Sequence, residues 1–318
     1  MHVACTSNDR YLPHVATLMQ SLAASNLPRA ITLHLLHDDT VTPQMQGQLH
    51  EDATRLGIGL TLRQPDAALL QTLPPSGSHY PPLIWYRIFL PDLLVEVDRV
   101  LYLDADTLVL QDLRPLWSLD LDQVLLAAVA QPAEPSHSQP ALARLGLPPD
   151  ADYLNSGVLL MDLRRMREEH FSRQMIDTGQ AQAEEWKDSA HFRLPDQDAF
   201  NLVCAGRWLK LHPRWNCLAS LFLSNGLEDL AQGDALELGE AVASPAIVHF
   251  EGSGYAKPWN YRCVHPLRHL YRAYRRRTPW PLEQLEDADL AARVLRPLPP
   301  RVQLKIARLK QRARRKGH

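Results

Sequence analysis

From Asp98 the chain runs Arg99-Val100-Leu101-Tyr102-Leu103 and then breaks into Asp104-Ala105-Asp106. The run has the apolar, aromatic and β-branched character of a buried strand. Two carboxylates one residue apart follow it at once. Side chains at i and i+2 of an extended chain point the same way, so both acids can face one spot where the strand ends. Like charges that close repel each other unless a cation lies between them. Hard divalent cations such as Mg²⁺ and Mn²⁺ take oxygen ligands of this kind and commonly hold a diphosphate as well. A polar strand-to-loop turn, with one acid capping a neighbour, explains a bare Asp-x-Asp equally well, so the rest of the chain has to decide.

The first 65 residues alternate in type. His2 to Thr6 reads as a strand, and Asn8 to Pro13 as a polar turn. His14 to Ser25 carries Val15, Leu18, Met19 and Leu22 at the spacing of one helix face. Ile31 to His37 reads as a second strand, Thr42 to Leu56 as a helix, and Thr61-Leu62 as part of a third strand. This order predicts an α/β protein with a Rossmann-like, mainly parallel sheet flanked by helices. No G-x-G-x-x-G follows the first strand, which excludes the dinucleotide fingerprint as the means of holding a nucleotide. Ligands of such sheets bind outside the carboxyl ends of the strands. That singles out Thr6 to Arg10, Asp38-Asp39 and Asp104-Ala105-Asp106, although Asp38 and Asp39 also fit ordinary solvated turn positions.

Further on, Trp85 to Leu90 reads as a helix stopped by Pro91. Arg87 within it either snorkels or is positioned for an anion. Gln131 to Asp150 reads as a mobile loop with a short helix around Leu142 to Leu145. Asn155-Ser156-Gly157 precedes an apolar strand, where the glycine permits close backbone approach, and Leu163 to Gly179 reads as one charged amphipathic helix. Pro195-Asp196-Gln197-Asp198 opens another helix, where acids either cap the free N–H groups or serve as buried functional groups. Ala246 to Phe250 reads as a last strand. His249 there is structural or a ligand, and the Glu251-Gly252-Ser253-Gly254 stretch leading to Lys257 supplies the exposed N–H groups and compact charge that phosphate binding needs.

A chain of 318 residues with 45% hydrophobic and 22% charged residues suits one large α/β domain or two smaller ones. Four cysteines without a C-x-x-C pair indicate neither a zinc site nor a disulfide framework, and point to a reducing compartment. Met1 to Ser7 lacks the basic leader of a signal peptide, and no stretch reaches the about 20 apolar residues that cross a bilayer. The net charge of -2 hides an asymmetry: Arg301 to His318 holds eight of the 34 Lys and Arg and no acid, leaving 26 basic against 36 acidic residues, or -10, elsewhere. Such a basic end on an acidic body suggests an electrostatic role.

Taken in order, Thr6-Ser7-Asn8-Asp9-Arg10-Tyr11, Tyr86-Arg87, Leu103-Asp104-Ala105-Asp106, Asn155-Ser156-Gly157-Val158, Asp196-Gln197-Asp198, His249-Phe250-Glu251-Gly252 and Lys257-Pro258-Trp259 resemble family 8 of the retaining glycosyltransferases. The family has a GT-A fold and includes bacterial lipopolysaccharide galactosyl- and glucosyltransferases and, more distantly, glycogenin. The resemblance covers roughly residues 1 to 280. It implies a hexosyltransferase that moves glucose or galactose from a UDP-sugar to a glycan or glycolipid acceptor. Asp104, Asp106 and His249 would ligate Mn²⁺ or Mg²⁺ bridging the donor diphosphate, which Ala105, Gly252 and Lys257 would also contact. Thr6, Asn8 and Tyr11 would form the uridine pocket. Arg87, Asn155, Ser156, Asp196 and Gln197 would hold the sugar. Gln197 would lie nearest the reacting carbon, with Asp198 as the other candidate catalytic residue. Asn8 stands where many relatives carry Asp, and the chain between Gly252 and Lys257 is longer than the family's usual spacing.

The expected division is a GT-A domain over residues 1–260 and a small helical, basic extension over residues 261–318. Val302, Leu304, Ile306 and Leu309 interleave with eight basic residues, which suits a helix attached to an anionic membrane surface. A solvated tail or weak nucleic-acid binding would use the same charges. The expectation is no nucleic-acid partner and a peripheral place on the cytoplasmic face of the inner membrane. The alternatives within this reading are a glycogenin-like or protein-directed transferase, or a nucleotide-sugar binding protein without turnover.

Overall fold

A computed structural model describes residues 1–76, 80–131, 141–185, 194–224, 226–227, 230 and 234–316. Its main sheet has the strand order β3-β2-β1-β4-β7-β6-β8. These strands are β1 (His2–Ser7), β2 (Thr32–His37), β3 (Gly59–Arg63), β4 (Arg99–Leu103), β6 (Leu126–Ala130), β7 (Leu154–Asp162) and β8 (Trp208–Leu211). A second sheet, ordered β5-β10-β9, joins β5 (Thr107–Val109), β9 (Cys217–Leu218) and β10 (Ile247–His249). β1 lies parallel to both β2 and β4, β2 is parallel to β3, and β6 is parallel to β8. β7 is antiparallel to β4 and to β6. The expected mixed, mainly parallel sheet is therefore the observed one.

The pleat sorts side chains between two cores, as a period of two requires. Leu101 and Leu103 of β4 and Val158 and Leu160 of β7 join Val3, Cys5, Leu33 and Leu35 under the helix Leu12–Ser25. Val100, Tyr102, Leu159 and Met161 join Trp85, Phe89, Phe171 and Phe200 on the other face. A sheet buried on both faces needs near-continuous apolar strands, and β4, β6 and β7 supply them.

Several local expectations change. The helix Leu12–Ser25 buries not only Val15, Leu18, Met19 and Leu22 but also His14, Thr17, Gln20 and Ser21. Three neighbours cover it: the helix Arg268–Arg275, whose Tyr271 hydroxyl pairs with His14 Nδ1, the helix Pro43–Leu56, whose Asp52 accepts from Gln20, and β5, whose Val109 N–H donates to the Ser21 hydroxyl. Pro91 does not stop a helix. Residues Pro82–Phe89 form a 3₁₀ helix, and Pro91 sits in the first turn of the short helix Leu90–Leu93, where its missing N–H costs no bond. Leu163 to Gly179 is not one helix but two, Leu163–Glu168 and Phe171–Glu185, separated where His170 takes a φ of +53°. Within the expected loop, residues 132–140 lie outside the described residues. Residues 141–144 are helical, and Leu142 and Leu145 pack on Tyr153. All four cysteines are free and buried.

The C-terminal part begins inside the body. Phe250, Trp259 and Tyr271 share a core with Leu108 and Val248 of the second sheet. Beyond it lie the helices Leu290–Leu295 and Pro300–Lys316. Leu290, Val294, Val302 and Leu309 are largely exposed. Among the described residues, no helix is long and apolar enough to cross a membrane.

Candidate active site

β1 has β2 on one side and β4 on the other, so chain connections diverge between β1 and β4, the place where sheets of this class open a crevice. Both strands deliver their carboxyl ends to it. β7 runs the opposite way and brings its amino end, Leu154-Asn155-Ser156-Gly157, to the same edge, where the Asp104 N–H donates to the Gly157 carbonyl at 2.8 Å. The turn after β4 is closed by the Thr107 hydroxyl and N–H, which donate to the Asp104 carbonyl at 2.7 and 3.1 Å. Thr107 pairs with His249 across the second sheet. Residues distant in sequence therefore meet at Asp104-Ala105-Asp106.

His249 Nε2 lies 3.2 Å from Asp106 Oδ1 and 3.7 Å from Asp104 Oδ2. One donor atom from each of the three residues lies within 4.8 Å of the others. Adjacent ligands on a small octahedral ion at ~2.1 Å stand about 3 Å apart, so two carboxylates and an imidazole in this arrangement suit Mn²⁺ or Mg²⁺. Gly157 makes the space. A Cβ there would meet His249 Cε1 at 2.2 Å and Asp104 Oδ2 at 2.9 Å. The Lys257 ammonium pairs with Asp106 Oδ2 and lies 5.4 Å from the Trp259 ring centroid. The longer chain between Gly252 and Lys257 thus still delivers the lysine to the cluster, and Gly252 opens that loop with a φ of +87°, a conformation that favours glycine. Burial opposes the Asp106 charge, yet Lys257 and His249 outweigh it and hold the carboxyl well below the usual range. Burial likewise lowers His249, but Asp106 and Asp104 leave its pKa raised.

Arg87 is buried rather than snorkelling, and the anions it meets are protein carboxylates. Its guanidinium lies 3.1 Å from Asp104 Oδ1 and 3.6 Å from Asp196 Oδ2, donates to the Ser156 carbonyl at 2.7 Å, and sits 4.5 Å from the Tyr102 ring centroid. Burial works against its charge, but Asp104, Tyr102 and Asp196 raise its pKa overall. Asp196 lies in the first turn of the helix Pro195–Val203. Burial pushes it up to about 6 against the pull of Arg87. Gln197 accepts the Ser156 N–H at 3.0 Å through Oε1 and donates Nε2 to Gln131 Oε1 at 2.9 Å. Asp198 is fully buried and points elsewhere. Its carboxylate accepts from Arg144 at 2.6 Å and from the Tyr153 hydroxyl at 2.7 Å.

The loop after β1 is held locally. Asn8 Oδ1 accepts the Tyr11 N–H at 3.0 Å, and the Thr6 hydroxyl bonds the Tyr102 hydroxyl at 3.0 Å, which in turn donates to Asp104 Oδ1 at 2.8 Å. Tyr11 stands half-exposed, edge-on to Trp259 at 6.3 Å. Ala105 packs into the core beneath the turn. Asp38 accepts the Thr40 N–H at 3.1 Å and the Thr40 hydroxyl, so the turn explanation accounts for it. Sequence reasoning missed Tyr102, Gln131, Arg144, Tyr153 and Asn216. Only Tyr102, polar in an otherwise aliphatic strand, carried a local signal.

The chain matches the family model described as "Glycosyl transferase family 8" over residues 2–263. It is 30% identical over 283 residues to general stress protein A of Bacillus subtilis, covering 88% of this chain and 94% of that one. It is 26% identical over 290 residues to lipopolysaccharide 1,2-glucosyltransferase of Escherichia coli, covering 91% and 81%. The crystal structure of galactosyltransferase LgtC in complex with donor and acceptor sugar analogs superimposes with a TM-score of 0.73 at 21% identity, covering 88% of this chain and 96% of that one. Fold and site together define a glycosyltransferase of the GT-A type. The chain belongs to glycosyl transferase family 8.

Proposed function

We propose that the protein transfers a hexose, glucose or galactose, from a UDP-sugar to a glycan or glycolipid acceptor with retention at the reacting carbon. The observation that carries this reading is the convergence of Asp104, Asp106, His249 and Lys257 at the opening between β1 and β4. Two carboxylates and an imidazole would hold Mn²⁺ or Mg²⁺, which would supply Lewis-acid stabilisation of charge on the departing diphosphate. Lys257 would add a second positive charge for the same phosphates, and the Gly252 backbone would contact them as well. Thr6, Asn8 and Tyr11 would face the uridine. Arg87, Asn155, Ser156 and Asp196 would meet the sugar hydroxyls.

The bond from the sugar's C1 to the diphosphate oxygen breaks as the acceptor oxygen bonds C1 on the same face, and the acceptor proton passes to the departing phosphate. Gln197 suits this path. An amide is a poor nucleophile, and its dipole, fixed by Ser156 and Gln131, can stabilise positive charge on the ring. Asp198 would serve as an anchor, since both its oxygens are engaged by Arg144 and Tyr153. We take residues 1–260 as the catalytic domain and residues 261–318 as an extension whose basic helix meets an anionic membrane on its cytoplasmic side. Eight Lys and Arg in Arg301 to His318 and the exposed Val302 and Leu309 support that. Removal of residues 301–318 should release the protein from anionic vesicles and spare UDP-sugar hydrolysis; unchanged vesicle binding would contradict the attachment.

A thermal-shift panel tests the main reading. UDP, UDP-glucose, UDP-galactose, UDP-N-acetylglucosamine and GDP-mannose are each added with Mn²⁺ and with chelator. Ligands that bind the folded state raise its melting temperature. Stabilisation by UDP compounds that vanishes with chelator is the expected result. Equal stabilisation with chelator, or none from any UDP compound, contradicts it.

A further inference from the structure

A single run of side-chain amides joins His249 to Gln197, and its direction is set by the backbone. Asn155 Oδ1 accepts the Gly157 N–H at 3.0 Å. A backbone N–H can only donate, so the oxygen of Asn155 must lie on that side. Asn216 meets the same oxygen at 2.8 Å and must therefore present its Nδ2. Its Oδ1 is then left facing His249 Nδ1 at 3.0 Å, and only an N–H on Nδ1 completes that bond. When the ring is neutral, the lone pair lies on Nε2, the nitrogen 3.2 Å from Asp106.

The opposite direction gives a consistent answer. Asn155 Nδ2 donates to Gln131 Oε1 at 3.2 Å, and Gln197 Nε2 donates to the same oxygen at 2.9 Å. Gln197 Oε1 is left for the Ser156 N–H at 3.0 Å, again a backbone donor. Two adjacent N–H groups of β7 thus orient four amides, with no acceptor facing an acceptor. Asn216 is fully buried, and its place is fixed because Cys217 and Leu218 pair with Val248 and His249.

We infer that Asn216 is the positioning residue that sets the ring orientation and Nδ1–H tautomer of His249 for metal binding. Through Asn155 and Gln131 it makes the metal ligand and the sugar-facing amide of Gln197 one oriented unit. This rests on the metal-site reading above. Partners of this kind behind a metal-bound histidine typically carry a 10–100-fold effect on affinity, in order of magnitude.

The test measures Mn²⁺ binding alone, by electron paramagnetic resonance of the free ion, with no donor or acceptor present. Asn216→Leu should weaken Mn²⁺ by about 10-fold or more. Asn216→Asp, whose carboxylate still accepts the Nδ1 proton but can no longer donate to Asn155 Oδ1, should weaken Mn²⁺ clearly less than Asn216→Leu does. Wild-type affinity in a folded Asn216→Leu, or equal weakening in both variants, overturns the inference. Should Asn216→Leu not fold, proton–nitrogen correlation spectra of ¹⁵N-histidine-labelled wild type loaded with Mg²⁺ decide. The proton on Nδ1 of His249 supports the inference, and a proton on Nε2 overturns it. A wild type that binds neither ion removes the metal site itself, a different result from loss in a variant alone.

Discussion

Asp104-Ala105-Asp106 and Asp196-Gln197-Asp198 have the same spacing and different surroundings. The first pair follows a strand and sits in a tight turn, so both carboxylates approach His249. The second pair lies in the first turn of a helix, where residues i and i+2 do not face each other. Asp196 accordingly meets Arg87 while Asp198 meets Arg144 and Tyr153. Lys257 and His249 overcome burial and hold Asp106 low, whereas burial prevails over the neighbouring cations and raises Asp196 and Asp198. Backbone geometry and the surrounding cations, rather than the spacing of the acids, distinguish two acids that converge on one point from two separately anchored acids.

The comparison breaks most plainly at Asp106. Asp106→Asn should lower transfer by ~10³-fold or more, since loss of a metal's charge stabilisation is a matter of several kcal/mol; near-wild-type transfer would remove the first pair's assignment. Gly157→Ala should come next. The added methyl has no room beside His249 and Asp104, and Mn²⁺ affinity, read by titration, should fall by on the order of 10²-fold. Between the two helical acids, Gln197→Ala should lower turnover by ~10²-fold while UDP affinity is kept. Lost UDP binding would instead place Gln197 in the nucleotide site.

Asp198→Asn separates an anchor from a nucleophile. An anchor's loss should reduce turnover only about 10-fold, whereas loss of a nucleophile costs on the order of 10⁴-fold or more. The smallest effect is on stability. Asp196 is raised in the fold, so its contribution is fully present below the unfolded value of 3.8 and is lost as pH rises through about 6. Calorimetry of Asp196→Asn should show a melting temperature unchanged near pH 3 and raised by roughly 2–4 °C at pH 7; a lower one at pH 7 would mean that Arg87 needs this charge more than burial resists it.

Much of the fold was legible because it is written locally. Strands β1 and β2, the helices after them and β4 follow from the period of apolar residues, and the acids after β4 announced themselves by position. Burial of His14, Gln20 and Ser21 was not legible, because their partners, Tyr271, Asp52 and Val109, lie far along the chain in other elements. The break at His170 depends on a single φ. In the site, Asp104, Asp106, His249 and Lys257 emerged from motifs. Asn216 and Gln131 did not, since an amide 33 residues from its histidine partner has no spacing rule to mark it.

The most direct measurement is calorimetric titration of UDP into the wild-type protein with Mn²⁺ and then with chelator, beside Asp106→Asn with Mn²⁺. The account predicts binding in the first case and its loss in the other two. Equal UDP affinity in all three would contradict a metal–diphosphate site at Asp104, Asp106 and His249.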